Sequence, residues 1–159
     1  MPGTCTLLNR KLRSFFHGKG YGWLVNRTDC GHSDGGCLLV AKALSRIFPD
    51  SQIVTLISTK FKGMPEHYGI RWQGLYLDGT GAYRNAATWG STFSRQASIA
   101  PVLIIDRFVY SAAIDSFIDH QDDLVTLMEK NLRIRRIIQG AMPDRPKASN
   151  RSRSASRNR

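Results

Sequence analysis

Three residues are placed to carry covalent chemistry together: Cys37, His67 and Asp78. A cysteine becomes a nucleophile when its thiolate is favoured. The start of a helix favours it, through unpaired N–H groups and the helix dipole. Cys37 stands at such a start. Asp34 is positioned to cap a helix, Gly35 and Gly36 let the chain turn tightly into it, and the apolar run Cys37 to Phe48 follows. The glycines leave the sulfur unshielded, and the Cys37 N–H points at a developing oxyanion. The preceding segment, Asn26 to Gly36, is polar and turn-rich.

A thiol needs a base, and the base needs an orienting group. His67 opens a strand-like run ending at Trp72, and Leu75 to Asp78 is a second. If Gln73-Gly74 forms a two-residue hairpin turn, Trp72 pairs with Leu75. His67 then lies opposite Thr80 and Asp78 opposite Gly69, so His67 and Asp78 are diagonal neighbours on one face. A slip of one residue would put them on opposite faces. Blander readings exist for each residue. Most free cysteines are inert core residues, and Asp78-Gly79-Thr80-Gly81 is also a good turn sequence.

The surrounding elements must hold these side chains. Cys37 to Phe48 is apolar nearly all round, which predicts a central buried helix stopped by Pro49 and Asp50. Gln52 to Thr59 is rich in β-branched residues and reads as a strand, as does Pro101 to Asp106. The N-terminal segment predicts a short helix from about Asn9 to His17, broken by Gly18 and Gly20. Ala112 to Gly140 carries Ile114, Phe117, Ile118, Val125, Met128 and Leu132 at helical spacing, which predicts one long C-terminal helix. Its basic end, Arg133, Arg135 and Arg136, suits the negative end of the dipole. The expected fold class is α+β, a helix beginning at Cys37 packed on a small antiparallel sheet, with a long C-terminal helix.

The chain has 159 residues, 42% hydrophobic and 22% charged, which suits one domain and a tail. Residues 1–142 form the expected domain. Residues 143–159 hold Arg145, Lys147, Arg151, Arg153, Arg157 and Arg159 against the single acid Asp144. Serine and arginine repeat there with almost no apolar side chains, so this arm is expected to be disordered. It carries nearly half of the net +11, a plausible electrostatic contact for nucleic acid or an acidic protein. No apolar run reaches the length of a signal-peptide core or a membrane span, which predicts a cytoplasmic protein with no membrane contact. Small size and positive charge are also compatible with delivery into a host cell. Cys30, His32 and Cys37 form the one local cluster of metal-ligand types, with no second half, so no metal is expected. The three cysteines do not read as a disulfide framework.

Gly35-Gly36-Cys37 with its apolar helix, then His67-Tyr68-Gly69-Ile70-Arg71-Trp72, then Leu75-Tyr76-Leu77-Asp78, resembles the core of the papain-like superfamily. It is similar in particular to transglutaminase-like and other small bacterial or viral members. The resemblance covers about a third of the chain. It implies thiol-based acyl chemistry on an amide or ester of a protein or peptide-like substrate, with no cofactor. Cys37 is then the nucleophile, His67 the base and later the acid, and Asp78 the orienter. Papain-type peptidases carry a glutamine as oxyanion donor six residues before the cysteine, where this chain has Gly31, and Asn26 or His32 is the candidate to replace it. Deamidase, amidase, isopeptidase and transglutaminase-type activities therefore stand beside peptidase. The rival reading is a non-catalytic basic binding protein on the same scaffold.

Overall fold

A computed structural model describes residues 2–33, 35–61, 63–105, 107–110 and 119–141, and the structural statements below concern these. The architecture is α+β. Helices α1 (Pro2–Phe16), α2 (Lys19–Thr28) and α3 (Cys37–Ile47) come first, then strands β1 (Gln52–Ser58), β2 (Pro65–Trp72), β3 (Leu75–Asp78) and β4 (Gly81–Tyr83). Helix α4 (Ala86–Gln96), strand β5 (Val102–Ile105) and helices α5 (Gln121–Leu132) and α6 (Arg135–Ala141) complete it. The strands form one antiparallel sheet in the order β4-β3-β2-β1-β5.

Two apolar layers sandwich this sheet. On one face Leu38, Val40, Ala41 and Leu44 of α3 meet Tyr68, Ile70, Trp72 and Leu77, with α1 and α5 adding Leu8, Leu12, Leu124 and Met128. On the other face Trp89 and Phe93 of α4 cover Val54, Leu56 and Tyr76. Alternation along the strands sorts the side chains: Leu77 turns to α3 while Tyr76 turns to α4.

The β2–β3 hairpin has the expected two-residue turn. Gln73 (φ 47°) and Gly74 (φ 76°) are both left-handed, the conformation of a type I′ turn. Trp72 pairs with Leu75, Arg71 with Tyr76 and Ile70 with Leu77. Gly69 follows on the α4 face. A Cβ there would lie 2.7 Å from Trp89 Cζ2 and 2.8 Å from the Leu77 carbonyl oxygen. Gly69→Ala is expected to cost about 1–3 kcal/mol by overpacking. A lowered urea midpoint at unchanged slope would register it.

Several expectations are corrected. The N-terminal helix is not confined to Asn9–His17. Two helices run from Pro2 to Phe16 and from Lys19 to Thr28, because Cys5, Leu8, Leu12 and Phe16, then Leu24, form a continuous buried stripe. The loop before Cys37 is correspondingly shorter. The N-cap of α3 is Gly36, with no side-chain cap bond, and Asp34 lies outside the described residues. The single long C-terminal helix is interrupted: Arg133 caps α5 in the left-handed region (φ 49°), and α6 starts two residues later. Ile114, Phe117 and Ile118 lie outside the described residues, as does the Arg/Ser arm with Arg145, Lys147, Arg151, Arg153, Arg157 and Arg159. Strand β4 and helix α4 were not anticipated. Among the described residues no helix is long and apolar enough to cross a membrane.

Candidate active site

His67 sits near the start of β2 and Asp78 at the end of β3, so the hairpin register decides whether they meet. Both turn to the α4 face. His67 Nε2 and Asp78 Oδ2 are 2.8 Å apart, with 0% and 1% side-chain exposure. The imidazole stacks on Phe93 at 4.4 Å and 18°. One turn back on α4, Trp89 donates its indole N–H to Asp78 Oδ2 at 2.7 Å. Trp89 and Phe93 are four residues apart, which places both on one helix face.

The other carboxylate oxygen makes a turn. Asp78 Oδ1 accepts from Thr80 N (2.7 Å), Thr80 Oγ1 (2.6 Å) and Gly81 N (3.0 Å). Asp78 is thus a turn former through one oxygen and a histidine partner through the other. Because Thr80 spends its hydroxyl hydrogen on Asp78, the Tyr83 hydroxyl donates to Thr80 at 2.6 Å. Burial, and then the charge of Asp78, push the Tyr83 hydroxyl up to about 12.

Charge follows from this geometry. Burial would drive the Asp78 pKa up, but the bonds from His67, Thr80 and Trp89 outweigh it and hold the carboxyl below its usual range. An ionised carboxylate only accepts, so Nε2 of His67 carries the hydrogen it shares with Oδ2. Nδ1 remains for other work, and it makes no hydrogen bond of normal geometry. Burial would likewise lower the His67 pKa. The Asp78 bond, then the hydrogen-bonding and charge influence of the Cys37 sulfur, raise it to about 9. The thiol therefore neighbours the imidazole without being locked to it.

Cys37 opens α3 and is 2% exposed. The chain closes over its N-terminal side, where Gly36 N donates to the Gly31 carbonyl at 2.9 Å. A Cβ on Gly36 would lie 2.7 Å from that carbonyl oxygen, so glycine permits this close approach. His32 is buried in the same loop. It packs on Gly79, where a Cβ would lie 2.6 Å from His32 Cβ, and it is ringed by Phe16, His17 and Tyr21. Asn26 is exposed on α2, off the Gly20, Leu24 and Thr28 stripe that this helix buries. A cavity of about 580 Å³ lies alongside, lined by His17, Tyr21, His32, Thr80, Phe93 and Gln96 among others. Among the described residues no group of three or more His, Cys, Asp or Glu is arranged to hold a metal ion.

Sequence reasoning missed Trp89 and Phe93 because it missed α4. One signal was present. Asn85 precedes Ala86-Ala87-Thr88 and accepts from Thr88 N at 2.8 Å, an N-cap that marks a helix start.

Fold and site together describe an α+β chain in which a helix-start cysteine abuts a buried histidine–aspartate pair. No protein-family model, curated protein or solved structure matches it.

Proposed function

We propose that this chain is a thiol-dependent hydrolase or acyltransferase acting on an amide or ester of a protein or peptide-like substrate, on a scaffold of papain-like or transglutaminase-like type. One arrangement supports the reading: Cys37 at the start of α3 beside an imidazole whose far nitrogen is held 2.8 Å from a buried carboxylate. The roles follow from the hydrogen inventory. With Nε2–H committed to Asp78 and the imidazole pKa raised to about 9, Nδ1 holds the proton that the Cys37 sulfur gives up. The sulfur adds to the carbonyl carbon, and the N–H groups at the start of α3 receive the developing oxyanion. Imidazolium Nδ1–H then protonates the departing amine or alcohol, leaving a thioester on Cys37. A water, or the amine of a second substrate, loses its proton to Nδ1 and attacks that thioester, restoring the thiol. His32, buried beside Gly79, is the better placed of the two side-chain oxyanion candidates, since Asn26 is exposed.

Thiol labelling tests the proposal, because exposure and activation predict opposite orders. Cys37 is 2% exposed and Cys5 6%, while Cys30 is half-buried. By accessibility alone Cys37 would react last. The expected result is selective iodoacetamide alkylation of Cys37 well below pH 8, slowed at least tenfold in His67→Ala. Equal slow labelling of all three cysteines, or none at Cys37, would sink the reading.

A further inference from the structure

The charge on the described surface is segregated. Residues 1–28 contain Arg10, Lys11, Arg13, Lys19 and Arg27 and no Asp or Glu. Folding gathers part of this charge around a groove of about 430 Å³ where α1 and α2 meet the end of α5. Arg10, Lys11, Ser14, Lys19 and Asn131 line it, and no carboxylate does. Lys11 Nζ donates to the Leu132 carbonyl at 2.8 Å. That bond neutralises the negative end of the α5 dipole, which would otherwise repel an anion. Arg10 and Lys19 are exposed, with their charges open to a ligand.

We propose that this groove binds the phosphodiester backbone of a nucleic acid, independently of any chemistry at Cys37. A lipid surface fits less well, because membrane binding wants apolar side chains beside the cations. Of the large exposed hydrophobics, Phe61, Met64, Ile99, Leu103, Phe108 and Tyr110 lie on other segments, and Tyr21, the one on α2, does not line the groove. A concave site with a hydroxyl (Ser14) and three cations suits phosphate oxygens, which accept from Arg, Lys and Ser alike.

The test uses the full chain and a fluorescently labelled 12-nucleotide single-stranded RNA, with anisotropy titrations from 50 to 200 mM salt. Each phosphate contact contributes about 0.7 to the slope of log K against log salt on a single strand. The double variant Arg10→Gln/Lys19→Gln is expected to flatten the slope by about 1.4 and weaken binding at least fivefold. Arg71→Gln, an exposed cation on β2 away from the groove, is expected to change affinity less than twofold. Circular dichroism verifies that the variants fold. The proposal fails if the double variant leaves the slope unchanged, if Arg71→Gln matches it, or if RNA does not bind at 50 mM salt. It also fails if a phosphopeptide or phosphatidylserine vesicles bind the groove more tightly than RNA.

Discussion

Asp78→Ala is expected to cost about 3–5 kcal/mol of folding stability. The carboxylate is 1% exposed and accepts from five donors: Thr80 N, Thr80 Oγ1, Gly81 N, His67 Nε2 and Trp89 Nε1. Alanine removes every acceptor at once and leaves a buried imidazole without its counter-charge. Each orphaned donor carries its own desolvation cost. Urea unfolding followed by tryptophan fluorescence measures the loss. Asp78→Asn is no gentle substitute. Its amide nitrogen must face either the Thr80 and Gly81 donors or the His67 and Trp89 donors, so two hydrogen-bearing groups oppose each other in either orientation. Asn is expected to lose at least 2 kcal/mol, and a value under 0.5 kcal/mol would contradict the assigned bonding.

Stability is expected to fall as the pH rises from about 6.5 to about 9. His67 has a folded pKa of about 9 against an ordinary 6.5. A raised pKa means that the folded state holds the proton more tightly, so the stabilisation is complete below pH 6.5 and is lost as pH climbs through 9. Asp78 works in the other direction. Its lowered pKa stabilises the fold above the ordinary carboxyl value and loses that contribution as acid protonates it. Stability is therefore broadest between about pH 4.5 and 6.5. The alkaline loss corresponds to about 3 kcal/mol, and it belongs to His67 and Asp78 titrating as a coupled pair. Urea midpoints at half-unit steps of pH would trace it. His67→Gln is expected to be less stable at pH 6 and nearly flat from pH 6.5 to 9. A His67→Gln curve parallel to that of the parent chain would place the titration elsewhere.

Much of the fold was legible where local chemistry and tertiary context agree. Val54, Thr55 and Ile57 are β-branched and lie in a strand, and Gln73-Gly74 adopts the turn that its composition suggests. Cys37 to Ile47 is helical and buries all but Lys42, Ser45 and Arg46, as its nearly continuous apolar surface requires. The diagonal approach of His67 and Asp78 followed from that one turn. The rest depended on contacts between distant residues. Helix α4 has mixed polarity, and Trp89 and Phe93 acquire their meaning only when the sheet presents Tyr76, His67 and Asp78 to them. Strand β4 is three residues long, too short for any period, and is fixed by Ala82 N donating to Asn9 Oδ1 on α1 at 3.1 Å. The break at Arg133 is equally non-local. Lys11 of α1 captures the last carbonyl of α5, so the helix ends against a partner more than a hundred residues away. The depth of burial of Cys37 and His67 was not legible either, since it arises from α4 and the Gly31–Gly36 loop together.

The two-residue turn at Gln73-Gly74 also works as a length gauge. Inserting one residue there would leave β3 able to pair but would exchange its faces. Leu77 would be carried toward Trp89, and Asp78 toward the apolar layer shared by α3 and Tyr68. An altered side chain elsewhere in the site can be restored by a second substitution nearby. A lost register cannot, because every residue of the strand is displaced together. Loop-length variation, tolerated at most surface hairpins, is therefore closed to this one, and a chain that lengthened the turn would give up its buried ion pair and its sheet packing in a single step.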